Sequence, residues 1–140
     1  MEPELAAFGE GRLLLPPAYL ATVRKDGAPR VHPVTPIVSA SALFLFMEPT
    51  SPKARDLRER GWYSLHNGVP DTNGSGGEFW IIGKGFPVTE TGLRATATEA
   101  ASYEPAEDYI LLELRVTSAR CNGYGDVPLP MNRRWSITLA

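Results

Sequence analysis

Turn-forming residues are the strongest constraint this chain places on its own fold. Thirteen glycines and thirteen prolines are spread through 140 residues, against average usage of roughly 7% and 5%. Proline removes a backbone donor and fixes φ, and glycine weakens the interior of helix and strand alike. A chain punctuated this way favours short strands over long helices. The clearest local signal is Lys25-Asp26-Gly27-Ala28. It follows a strand-like run at 19–24 and precedes another at 30–38, and Asp-Gly between two such runs predicts a hairpin. The returning strand contains Pro33 and Pro36 and is preceded by Pro29. Proline cannot donate to a ladder, so this strand is expected to be bulged or to lie at a sheet edge along part of its length.

The rest of the chain reads as more short elements. Leu5, Phe8, Arg12 and Leu13 have loosely helical spacing over 3–14, weakened by Gly9 and Gly11. A turn at 39–41 leads to a third strand at 42–47, paired with the second as a hairpin. Residues 50–60 form a capped helix: Thr50 or Ser51 caps, Pro52 suits the first position, Ala54 and Leu57 share a face, and Gly61 stops it. Strands follow at 62–67 and 78–89, the second with a glycine kink, separated by a Gly-rich loop at 68–77. A helix at 89–102, with Thr89 as its cap, and a long sixth strand at 109–119 complete the pattern. The tail, 121–140, is rich in Gly and Pro and then carries Asn132-Arg133-Arg134-Trp135. The expectation is one domain over 1–140: a mainly β, six-stranded antiparallel barrel with short helices. So small a barrel has little interior, so a ligand is expected outside it or between two barrels.

Composition narrows the function. Lys and Arg number 14 against 16 Asp and Glu, a net charge of −2, which argues against nucleic acid as a partner held by bulk charge. Apolar runs such as 43–46 and 109–112 are far shorter than the roughly 20 residues of a membrane span. Glu2 and Glu4 do not resemble the start of a secretory signal, so no membrane association and a cytoplasmic location are expected. A lone Cys121 excludes an internal disulfide or a multi-thiolate site. His32 and His66 lack acidic or thiol partners at ligand spacing, so no metal is expected. No Gly-x-Ser-x-Gly elbow is present, and Trp62, Tyr63, Phe79 and Trp80 read as core or interface aromatics.

The stretch that carries chemistry is Thr50-Ser51-Pro52-Lys53-Ala54-Arg55. It sets hydroxyls, free amides and two cations at a helix start, where unpaired N–H groups and the helix dipole favour an anion. Arg30, at the start of the second strand, is expected to approach the same end of the sheet. A capped surface helix with solvated cations is the plainer reading of these residues.

The segments L-A-T-V-R-K-D-G-A-P-R-V-H-P-V-T-P and L-F-L-F-M-E-P-T-S-P-K-A-R-D-L resemble the pyridoxamine 5′-phosphate oxidase-like family of flavin-binding split barrels. The likeness covers 18–67, continues through E-F-W-I-I-G-K-G-F-P-V-T-E and fades after residue 90. It rests on the pair D-G-x-P-R and S-x-K-A-R. The resemblance implies a dimeric split barrel, a homodimer with FMN in grooves at its interface. It implies that Arg30, Ser51 and Lys53, joined by Thr50 and Arg55, hold the flavin phosphate. It places Val31, His32, Pro33, Val34 and Thr35 along the ring, Phe46 and Met47 where the third strand closes on the cofactor, and Trp135 among contacts from the partner chain. Thr35 stands where the oxidase has Lys, Pro52 where it has Arg, and the oxidase's C-terminal substrate pattern is not recognisable. The implied activity is therefore that of a flavin-dependent oxidoreductase exchanging a hydride with an unidentified small-molecule substrate, rather than pyridoxamine phosphate oxidation. A deazaflavin on the same fold is one alternative, and a non-catalytic flavin- or haem-binding protein is another.

Overall fold

The computed structural model describes residues 1–15, 17–73, 76–123 and 133–137. The Asp-Gly signal produces the hairpin it predicts. Strand β1 (Ala18–Val23) pairs with β2 (Pro29–Val34), and Gly27 takes a φ of +87° that few other residues tolerate. The Asp26 carboxylate accepts the Ala28 N–H at 3.0 Å and so tightens the turn. A second hairpin joins β3 (Ile37–Ser39) to β4 (Ala42–Met47). Its two-residue turn, Ala40-Ser41, has both φ angles positive, 51° and 62°. The primed turn matches the twist of the strands, at a cost to two residues that carry a Cβ.

Three helices and four further strands complete the described chain: α1 (Pro3–Leu13), α2 (Pro52–Glu59), β5 (Trp62–His66), β6 (Glu78–Pro87), α3 (Thr91–Ala100), β7 (Ile110–Asn122) and β8 (Arg133–Ser136). The strands form one antiparallel sheet in the order β2-β1-β5-β6-β7-β4-β3, curled into a half-barrel, with β8 on the flank of β7. Long β7 is the hub. One edge runs along β6, and the other is shared between β4 and β8. The β6–β7 register shifts between Ile82 and Gly83. There a Cβ on Gly83 would lie 1.7 Å from the Arg115 carbonyl oxygen, so only glycine lets the two backbones approach.

Among the described residues there are eight strands where six were expected. The run at 30–38 is not one strand, because Thr35-Pro36 breaks it. β2 then pairs with β1 at one end of the sheet order while β3 pairs with β4 at the other. The expected hairpin between the second and third strands therefore holds only for β3 and β4. The additional strand β8 comes from the tail. The edge position inferred from the prolines is observed: β2 has one strand neighbour among the described residues. Helix α3 begins at Thr91 with Glu90 at its N-cap, two residues beyond the expected start.

Two apolar clusters hold these elements. The larger lies inside the curl and joins Leu20, Leu45, Met47, Leu57, Leu65, Ile81 and Leu112 beneath α1 and α2. The smaller packs Phe44, Phe46 and Leu111 under Ala97 of α3. Strand β4 serves both clusters, which is why its sequence is a continuous apolar run rather than an alternation. Helix α2 lies across β1, β5 and β6, with Ala54 and Leu57 buried. It is capped by the Ser51 hydroxyl and ended by Gly61 at a φ of +85°.

Candidate anion site at the β2–α2 junction

Asp56 organises this junction. It lies on the buried side of α2 and is only 3% exposed. A buried carboxylate persists only if its oxygens are satisfied, and here three groups converge on it. The Thr22 hydroxyl donates to Oδ2 at 2.7 Å from β1, and Arg30 Nε donates to the same oxygen at 2.9 Å from β2. Arg60 donates to Oδ1 at 2.9 Å from the helix C-cap. Burial alone would push the Asp56 carboxyl up. The Thr22 hydrogen bond and the two guanidinium groups outweigh it and hold the group below its usual range, so it is ionised at neutral pH.

The two arginines differ in what remains available. Arg60 commits Nε to the Val23 carbonyl at 2.6 Å and one terminal nitrogen to Glu59 at 3.0 Å, besides its bond to Asp56. Arg30 uses only Nε. Its two terminal nitrogens make no hydrogen bond among the described residues and present an oriented fork to solvent.

The start of α2 is less open than its sequence suggests. The Ser51 hydroxyl accepts from Ala54 N–H at 3.4 Å and donates to the Glu48 carbonyl at 2.7 Å. The Thr50 hydroxyl donates to the Glu48 carboxylate at 3.1 Å. Pro52 has no N–H, which leaves Lys53 N–H as the first-turn amide without a partner among those described. Lys53 and Arg30 both stand close to His32. Burial first, then these two cations, lower the His32 pKa against the opposing pull of Asp56. His32 Nε2 is buried and has no hydrogen-bond partner among the described residues.

Of the predicted set, Arg30 and Lys53 both act electrostatically on His32. The structure spends Thr50 and Ser51 on the local turn. Arg55 opens instead onto a cleft of about 510 Å³ beside the β1–β2 turn, which Arg30 also lines. The predicted ring-contacting run divides by strand alternation: Val31 and Pro33 lie on the exposed outer face, His32 and Val34 on the inner, and Thr35 is half-buried beyond the strand end. Phe46 and Met47 lie in core positions. They are 7% and 2% exposed, and the Arg94 guanidinium lies 5.1 Å from the Phe46 ring centroid. The reason is the burial of β4 on both faces. Trp135 lies on β8, half-buried against the larger cluster, and lines a separate apolar groove beneath α1.

Sequence reasoning missed Asp56, Thr22 and Arg60. The available signal was an acid among the basic residues of α2, with Arg60 four residues later at helical spacing. Among the described residues no group of His, Cys, Asp and Glu side chains is arranged to hold a metal ion, and no helix is long and apolar enough to cross a membrane.

No family model matches the chain, and no curated protein matches it. Solved structures do match. The heme binding protein from Mycobacterium smegmatis superposes with a TM-score of 0.72 at 19% identity, over 97% of this chain and 59% of that one. This chain therefore spans less than two thirds of that protein. A NimC/NimA family protein from Clostridium acetobutylicum gives a TM-score of 0.70 at 16% identity, over 91% and 89% of the two chains. HutZ, the heme storage protein from Vibrio cholerae, gives 0.63 at 17%, over 89% and 96%. At these identities the likeness is one of fold: the chain has the split-barrel architecture of these proteins.

Proposed function

We propose that this chain holds a planar, anionic prosthetic group, haem or FMN, at the β2–α2 junction, and that two copies enclose it. The observation that carries the reading is the buried Nε2 of His32, without a partner among the described residues, on a strand with one open edge and under the charges of Arg30 and Lys53. A buried nitrogen without a partner is rare and costly in a folded protein. The residues fit one anionic group, whether a phosphate or a carboxylate. Lys53 supplies its ammonium and its helix-start amide, and Arg30 supplies a fork already oriented by Asp56. Backbone groups on the open edge of β2 are available to the polar rim of a flat ring. The M. smegmatis and V. cholerae neighbours are named for haem binding and haem storage, which favours a protein that holds its group over one that turns substrate over.

The second copy is inferred from the outer face of the sheet. Tyr19, Val31, Trp62 and Ile82 are 45%, 62%, 41% and 41% exposed there. Cross-strand register sets Val31, Ala21, Ser64, Ile82 and Ser118 in one row. Large apolar side chains among small ones form a surface suited to another apolar sheet face.

A flavin- or deazaflavin-dependent oxidoreductase is the second reading, favoured by the Lys53 ammonium and amide at a helix start, a setting suited to a phosphate. FMN, when bound, supplies hydride exchange with a small molecule. Parallel titration of the purified protein with hemin, FMN and a deazaflavin separates the readings. Saturable binding of hemin, seen as a sharpened and shifted Soret band, supports the haem-holding form. Saturable quenching of flavin fluorescence, followed by turnover with a reductant and an acceptor, supports the second. Binding of none of the three overturns both.

A further inference from the structure

The cleft beside the β1–β2 hairpin is lined by neither Ser51 nor Lys53 of the helix start. Its lining is wholly charged. Arg24, Lys25 and Asp26 come from the β1–β2 turn and its approach, Arg30 from β2, and Arg55, Asp56, Glu59 and Arg60 from α2 and its cap. Five cations thus face three carboxylates, in a chain whose net charge is −2. Every one of those carboxylates is already committed. Asp26 pairs with Arg24 at 3.0 Å, Glu59 with Arg60 at 3.0 Å, and Asp56 with both Arg30 and Arg60. The positive charge left over sits on Lys25 and Arg55, which make no ion pair among the described residues, and on the free fork of Arg30. These come from three elements around one concavity of about 510 Å³, a volume within the range of small-ligand pockets rather than of a single bound ion. Buried Asp56 fixes Arg30 before any ligand arrives, which lowers the ordering cost of binding.

We infer that this cleft binds a ligand carrying a pyrophosphate-type pair of anionic groups, with Arg30 and Arg55 on one group and Lys25 on the other. Ser51 and Lys53 do not line the cleft, so the site stands apart from the cofactor anion proposed above and shares only Arg30 with it. The inference does not depend on which prosthetic group is held.

The test is calorimetric titration of the whole chain with inorganic pyrophosphate at low salt, paired with backbone amide NMR shifts. The expected result is saturable binding of one pyrophosphate per chain, weakened steeply by salt. Lys25→Glu with Arg55→Glu should weaken it by at least about tenfold, as loss of two charge-assisted contacts implies, while Lys53→Ala changes it by less than about twofold. In the unmodified protein the largest shifts should fall on residues 24–26 and 55 rather than 51–54, a readout that survives if a variant fails to fold. Absence of saturable binding, an unchanged affinity in the doubly reversed variant, or shifts centred on 51–54 would each overturn the inference. Failure to bind hemin or FMN would leave it standing.

Discussion

At the scale of single residues, the account turns on two titrating groups at the junction, Asp56 and His32. Asp56 is held ionised against burial by Thr22, Arg30 and Arg60. Its native pKa is lowered, so its contribution is complete above the ordinary value of 3.8 and is lost as pH falls through the native value. Asp56→Asn should lower stability by about 3 kcal/mol, the lower end for removing one partner of a buried ion pair. The lower end applies because the arginine side chains are 28% and 25% exposed. Urea unfolding at neutral pH measures the loss, and the variant's acid unfolding should lack the part of the slope that Asp56 supplies. His32 has the opposite charge type and the same pH direction. Burial, Lys53 and Arg30 lower its pKa, so protonation favours the unfolded chain, and stability falls as pH drops below the ordinary value of 6.5. His32→Gln should remove that portion of the slope between neutral and mildly acid pH. A slope that survives unchanged would show His32 to be solvated. An anion bound beside Lys53 and Arg30 should raise the His32 pKa, which a proton NMR titration with and without ligand reads directly.

At the scale of elements, helix α1 offers an internal control. Its two glycines are of opposite kind. A Cβ on Gly9 would lie 2.3 Å from the Phe79 ring, whereas Gly11 has nothing within 4 Å. Gly9→Ala should therefore cost about 1–3 kcal/mol by pushing α1 off β6. Gly11→Ala should stabilise by roughly 0.5–1 kcal/mol through reduced backbone freedom. Thermal unfolding of the two variants should move in opposite directions. The same elements show what was legible in the sequence. The Asp-Gly hairpin, the Ser51 cap, the Gly61 stop and the edge position of β2 are local events encoded by local chemistry, and each is found where the residues place it. The division of 30–38 between two ends of the sheet is not local. Pro36 marks where the break falls, but which partner each half takes is set by how the whole sheet curls. The burial of Phe46 and Met47 has the same origin, since a strand covered on both faces looks in sequence like any apolar run. Asp56 escaped notice because an acid on a helix is ordinary until two arginines and a threonine from other elements are seen to converge on it.

At the scale of the whole molecule, the half-barrel leaves one sheet face carrying Val31 and Ile82 exposed in a single cross-strand row. If a second copy covers that face, Val31→Asp with Ile82→Asp should convert a dimer into a folded monomer by light scattering, with prosthetic-group affinity falling in parallel. A variant that remains dimeric would place the interface elsewhere. The central claim is that Arg30 and Lys53 together hold the anionic group of a haem or flavin. Equilibrium titration of the purified protein with hemin and with FMN, repeated on Arg30→Ala combined with Lys53→Ala, tests it most directly. The account predicts saturable binding of one of the two ligands, weakened by several kcal/mol in the double variant, since each charged hydrogen bond contributes roughly 1.5–3 kcal/mol. An affinity unchanged by the double substitution, or no binding of either ligand by the unmodified chain, would contradict it.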